Sequence, residues 1–310
     1  MTARNRSRVR PAAALLAGLA SLAGAAGAQD DGLVARGEQV FRAAGCLACH
    51  TEEDGGAPLA GGRPLVTPLG TFYGPNITPD PTHGIGQWSE RDLARALGEG
   101  LAPDGSPYYP AFPYAAYTRM RAEDVAALWA YLRTVPPAAR PSRAHELPWY
   151  LGSRLVNWPW RWLYFRPGPF QEDPSRDPVW NRGAYLAEAL GHCGECHTPR
   201  NALGGLDPDL RYAGSADGPE GGAVPNITSD RETGIGRWRV DDLAYFLATG
   251  ATPDGDYTGG LMAEVVEHGT GHLSEEDLRA IATYVLSLPP VANPVGRRGR
   301  EEKRPRGEFE

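Results

Sequence analysis

Two stretches of this chain, Cys46-Leu47-Ala48-Cys49-His50 and Cys193-Gly194-Glu195-Cys196-His197, share one pattern and between them use every cysteine. Two thiols three residues apart, followed at once by an imidazole, fit on a single short turn. There they can add to the two vinyl groups of a haem while the histidine coordinates its iron from one face. A Cys-x-x-Cys pair can also be a thioredoxin-like redox pair or half of a zinc site, and one copy alone would leave that open. The doubling favours two covalent haem attachments, with zinc the remaining alternative and a structural disulfide the poorest fit.

A chain of 310 residues suffices for two domains with their own cores, and its 39 Gly and 29 Pro point to much loop-built structure. Residues 1–28 read as a secretory signal peptide. Arg4, Arg6, Arg8 and Arg10 precede an apolar run from Ala12 to Ala20, and Ala26-Gly27-Ala28 has the small-residue cleavage pattern. An uncleaved anchor is the other reading, and the shortness of the apolar core opposes it. The formal net charge of −7 becomes −11 without the four leader arginines, and about −13 without the basic tail as well. So acidic a body disfavours nucleic acid and anionic lipid as partners and suits docking to a basic protein patch.

Read in order, the chain repeats itself. Leu33, Val34, Val40, Phe41 and Ala44 recur at helical spacing before the first motif, and a Gly- and Pro-rich loop follows it, expected to be neither helix nor strand. Pro75-Asn76-Ile77-Thr78, Gly84-Ile85-Gly86 and Trp88 come next. Ser89 to Asp92 reads as a capped helix start with Leu93, Ala96 and Leu97 inward, and a helix over about 122–134 turns Val125, Leu128, Trp129 and Leu132 inward before Pro136-Pro137. Pro225-Asn226-Ile227-Thr228 recurs 150 residues after its first copy, as do Gly234-Ile235-Gly236 and Trp238. A last helix over 275–288, capped by Ser274, closes on Pro289-Pro290. The expected organisation is a first haem domain over 29–137, an aromatic-rich linker over 138–178, a second haem domain over 179–295 and a disordered charged tail over 296–310. Arg154, Arg161, Arg166 and internal prolines rule out a membrane span at 148–170; its aromatics either pack between the domains or form a patch for a partner subunit or a membrane surface.

The iron's sixth position divides carriers from catalysts, because a methionine there raises the potential and an open site admits a small molecule. Methionine is scarce, with three in the chain and Met1 in the leader. Met120 and Met262, each downstream of one motif, are the candidate distal ligands opposite His50 and His197. His268 and His272 are rivals to Met262, which does not align with Met120 in the repeat. Trp88 and Trp238 could bond a haem propionate through the indole N–H, and Asn76 and Asn226 could orient backbone or propionate; equally, all four could recur because they build the same loop twice. His192, beside Cys193, is poorly placed to ligate, and His145 has no assignable role.

These motifs resemble the class I cytochrome c domain. The tandem, with Arg182-Gly183-Ala184-Tyr185-Leu186, His192 to Asn201 and Met262-Ala263-Glu264-Val265-Val266, is similar to the cytochrome c subunits of bacterial membrane-associated alcohol, gluconate and fructose dehydrogenases. Those subunits commonly carry three haem motifs and a C-terminal membrane-binding helix, whereas here there are two motifs and a charged tail. The resemblance implies a mostly α fold of two tandem class I cytochrome c domains with long Gly/Pro-rich loops. It also implies that the first and last helices of each domain cross near the haem, with Gly37 and Gly183 allowing the close approach.

The resemblance further implies two covalent haem c groups anchored by Cys46, Cys49, Cys193 and Cys196. The expected function is single-electron carriage in the periplasm, free or against the outer face of the inner membrane, from a dehydrogenase to a quinone, a small cytochrome or a terminal oxidase, as an electron-transfer subunit rather than a catalyst. The rival is a dihaem peroxidase or sulfur-compound dehydrogenase with an open haem site.

Overall fold

The computed structural model describes residues 31–53 and 55–295. The expected signal peptide over 1–28 and the charged tail over 296–310 lie outside the described residues. In the first repeat, helix α1 spans residues 31–43 and breaks at Gly45, whose left-handed backbone (φ 62°) turns the chain into α2, Cys46–His50. The long loop that follows departs from the expectation, since it contains an antiparallel hairpin of β1, Pro64–Thr67, and β2, Gly70–Tyr73, in register Pro64 to Tyr73. Four-residue strands interrupted by Pro and Gly are too short to show an alternating pattern.

Helix α3, Glu90–Glu99, starts as expected. The Ser89 hydroxyl accepts from the Asp92 N–H, the Asp92 carboxylate accepts from the Ser89 N–H, and Leu93, Ala96 and Leu97 are buried. Such a cap contributes about 1 kcal/mol. A short α4, Tyr114–Tyr117, leads to α5, Ala122–Leu132, the last helix of the first repeat. Helix α6, Asn157–Tyr164, lies in the connecting segment.

The second repeat opens with α7, Pro178–Tyr185, which has proline in its first turn and the Asp177 carboxylate accepting from the Trp180 N–H. A buried π-helical turn, Leu186–Leu190, carries it to α8, Cys193–His197. Then come α9, Val240–Thr249, α10, Gly260–His268, and α11, Glu275–Leu286, capped by Ser274.

First and last helices of each repeat cross at a glycine. A methyl group on Gly37 would sit 2.0 Å from the carbonyl oxygen of Ala127, and one on Gly183 would sit 1.9 Å from that of Ala280. Ring pairs flank both crossings, Phe41 with Tyr131 at 5.0 Å and Trp180 with Tyr284 at 5.1 Å. A homologous ion pair joins the same helices, Arg36 to Asp124 at 2.7 Å and Arg182 to Asp277 at 2.8 Å.

The two repeats share one hydrophobic core, which runs from Val40 and Phe41 through Met120 and Leu128 to Tyr185, Leu190 and Ile281. Polar contacts stitch the seam. The Tyr185 hydroxyl donates to Asp124 (2.5 Å) and accepts from the Arg121 N–H (3.2 Å), and Arg119 pairs with Glu188 at 2.9 Å. In the connecting segment, Phe165 and Trp160 pack edge-on to Tyr114 of the first repeat, and Tyr164 lies against Gly205 of the second. Trp149 and Trp162 face outward, 90% and 80% exposed. Among the described residues no helix is long and apolar enough to cross a membrane.

Candidate haem sites

Both Cys-x-x-Cys-His turns are held by the same set of bonds. In the first, the His50 carbonyl accepts from the Gly61 N–H (2.8 Å), and in the second the His197 carbonyl accepts from the Gly214 N–H (2.8 Å). The threonine after each histidine accepts a backbone N–H, Thr51 from Leu59 and Thr198 from Tyr212, both at 3.1 Å. Leu59 and Tyr212 each take a left-handed backbone with φ 62°, an uncommon conformation for such side chains, so the same strained loop has been built twice.

This loop returns the chain to the histidine. The His50 ring donates from Nδ1 to the carbonyl of Pro75 at 2.8 Å, and His197 does the same to Pro225 at 2.8 Å. A carbonyl can only accept, so the proton is on Nδ1 and the Nε2 lone pair is left for a metal. Burial lowers the pKa of both imidazoles, against the opposing effect of those carbonyls, which favours the neutral form that ligates.

The thiols are equally telling. Burial pushes Cys46 and Cys193 up to about 12, and Cys49 and Cys196 up to about 11. Their half-buried setting raises the thiol pKa, unlike the exposed low-pKa thiolates of redox catalysts. Among the described residues no three His, Cys, Asp or Glu side chains converge as a metal cage would require, which leaves the zinc reading without a ligand set. Paired half-buried thiols beside an oriented imidazole are a donor set that fits a haem.

Met120 is 6% exposed, within the core between α4 and α5, while Met262 is half-buried in the first turn of α10 and packs against the core. The sequence places Met262 only downstream of its motif; the structure puts it on a helix of its own. Of its rivals, His272 is exposed and bonds the Glu267 carbonyl at 2.8 Å, and His268 closes α10. His145 accepts from the Tyr73 N–H at 3.1 Å and so ties the connecting segment to the hairpin.

The asparagine amides are fully engaged in the loops. Asn76 donates to the carbonyls of Ala138 and Arg140 and accepts from the Thr78 N–H and hydroxyl; Asn226 donates to Val291 and Thr233 and accepts from the Thr228 N–H and hydroxyl. They latch the proline-bearing loop to the chain that follows each last helix. Trp88 and Trp238 are partly buried on the core, and Trp238 packs edge-on to Phe246. Sequence reasoning missed the Pro75 and Pro225 carbonyls, although both prolines stand in the repeated Pro-Asn-Ile-Thr. It also missed Arg63, a buried guanidinium beside Cys49.

The cytochrome c family matches residues 34–136. Over 265 residues the chain is 44% identical to a protein of Cereibacter sphaeroides named diheme cytochrome c-type, covering 84% of this chain and 87% of that one. The chain is a dihaem c-type cytochrome by family. Two covalently attached haem c groups are the cofactors of such a cytochrome, and electron transfer is its chemistry. It is also 43% identical over 288 residues to the gluconate 2-dehydrogenase cytochrome c subunit of Pantoea cypripedii, covering 89% of this cytochrome and 64% of that subunit. With the cytochrome c subunit of the quinone alcohol dehydrogenase of Gluconobacter oxydans the identity is 41% over 282 residues, covering 86% and 58%. The cytochrome thus spans about three fifths of those dehydrogenase subunits.

Proposed function

We propose that this cytochrome carries single electrons in the periplasm, from a dehydrogenase to a quinone, a small cytochrome or a terminal oxidase. In this reading Cys46 and Cys49 anchor one haem and Cys193 and Cys196 the other, His50 and His197 are the proximal ligands, and Met120 and Met262 the distal ones. The haem iron supplies the one-electron chemistry. The protein fixes the histidine tautomers through the Pro75 and Pro225 carbonyls, partly shields the donors from water, and sets the spacing of the two sites. The observation that carries the reading is the doubled Nδ1-to-proline bond, which presents two neutral imidazoles with Nε2 free beside paired thiols. The names of the gluconate and alcohol dehydrogenase subunits support a dehydrogenase as donor.

The test is spectroscopic. The exported protein should show two low-spin haems, the absorption band of methionine-to-iron charge transfer, and no binding of carbon monoxide when reduced. A haem that binds carbon monoxide readily would replace this reading with that of a dihaem oxidoreductase.

A further inference from the structure

The helix that carries Met262 buries little of itself. Helix α10 is entered through Gly259 and Gly260, the latter at φ 56°, and has no side-chain cap at its N-terminus. Val266 is its one buried residue. Met120, by contrast, sits in the shared core.

Besides packing on α9 and on the turn that follows it, α10 is held from the first repeat. Arg63 follows the Gly61-Gly62 pair that closes on the His50 carbonyl, and its side chain is 4% exposed. Its guanidinium contacts Glu264, two residues beyond Met262, at 3.1 Å, together with Glu220 at 3.2 Å and Glu53. The Glu264 carboxylate is three-quarters buried, whereas those of Glu53 and Glu220 are 62% and 43% exposed. A pair between buried partners is the contact whose loss is felt, because it strands a charge away from water. Helix α10 also packs on α2, the first haem turn, and Gly269 at its C-terminal end comes against the Arg42 carbonyl.

We propose that Arg63 is a positioning residue for the second haem, holding from the first repeat the helix that presents Met262. The inference rests on Met262 being the distal ligand of that haem. Ligation in the second repeat then depends on an intact loop in the first.

The experiment uses the haem-loaded, full-length protein. Arg63→Met should leave both haems covalently attached and cost one of the two methionine-to-iron charge-transfer bands, with carbon monoxide binding appearing at one haem and that haem's potential falling. Arg63→Lys should restore the band in part. Glu264→Gln, which leaves Arg63 two carboxylates and keeps the shape of the side chain, should show the same loss to a smaller degree, and it serves if Arg63→Met fails to fold. The double variant Arg63→Met/Glu264→Leu strands no charge, and should recover more of the band than Arg63→Met alone.

Loss of a positive charge by itself shifts a potential without removing the band, so an Arg63→Met protein that keeps both bands overturns the proposal. Met262→Ala, measured in parallel, separates the two claims. If it removes the second band while Arg63→Met and Glu264→Gln do not, the role of Arg63 falls alone. If it leaves the band in place, the ligand assignment falls and takes the role of Arg63 with it.

Discussion

The imidazole of His192 stands edge-on to the phenol of Tyr117, ring centres 5.5 Å apart, across the seam between the repeats. To reach it, His192 holds a left-handed backbone (φ 38°) at the place where the first repeat has Gly45. The Tyr117 hydroxyl in turn donates to the carbonyl of Ala44, two residues before the first haem turn. Residues adjoining the two attachment turns are therefore in contact through one pair of rings.

Backbone strain and ring contact can be separated at this position. His192→Gly loses the contact and relieves the strain, while His192→Ala loses the contact and keeps the strain, so the glycine variant should be the more stable by about 1 kcal/mol. Denaturant midpoints of the two variants check the order. A more stable alanine variant would mean the left-handed backbone carries no strain.

The helix crossings allow no side chain. Gly37→Ala would drive a methyl group to 2.0 Å from the Ala127 carbonyl oxygen, and Gly183→Ala one to 1.9 Å from that of Ala280. Backbone blocks both, so each variant should lose about 3 kcal/mol or more of stability. Thermal unfolding is the readout, and wild-type stability in either variant would contradict the crossing geometry.

Replacing Asn76 with alanine removes two donors and an acceptor from a buried latch and leaves the Thr78 N–H and the Ala138 carbonyl without those partners. About 2 to 3 kcal/mol should be lost, and Asn226→Ala should match it. A redox titration distinguishes the two roles open to these residues. A loop-building role lowers stability first, whereas a propionate contact would move the haem potential at unchanged stability.

Acid should open the same loops. The Asp80 carboxyl is held below its usual range chiefly by the His83 N–H, with the Thr82 N–H adding to it, and that of Asp230 chiefly by the Thr233 hydroxyl and N–H. A carboxyl with a lowered folded-state pKa stabilises the protein above its unfolded value, about 3.9, and the contribution is lost as pH falls through the folded value. Circular dichroism during acid titration should show Asp80→Asn less stable than wild type at neutral pH, with the difference closing below about pH 4. A constant difference at all pH values would show that the charge of Asp80 is irrelevant.

Much of the architecture was legible because it is local or repeated. The Ser89 and Ser274 caps and the inward faces of α3 and α5 follow from short spacings, and the glycines at the crossings from the resemblance to cytochrome c. The cytochrome c family and its haem chemistry follow from motifs that occur twice. Other features carry no side-chain signal. The carbonyls of Pro75 and Pro225 are backbone atoms, visible only once the loop closes on the histidine. The Arg63 to Glu264 pair spans 201 residues in a chain with many charges, so nothing in the sequence singles it out. Helix α10 has no counterpart signal in the repeat, since Met262 does not align with Met120, and the hairpin β1–β2 is too short for its period to register.

The bond from Tyr185 to Asp124 carries a historical consequence. Asp124 has a partner within its own repeat, Arg36, as Asp277 has Arg182, and the Tyr185 phenol of the second repeat joins that pair. Once that contact and the ring pair of Tyr117 and His192 were in place, neither copy could be cut out, exchanged or repeated without baring the seam. Because each contact joins the two repeats, related sequences should vary in pairs at 124 and 185 and at 117 and 192.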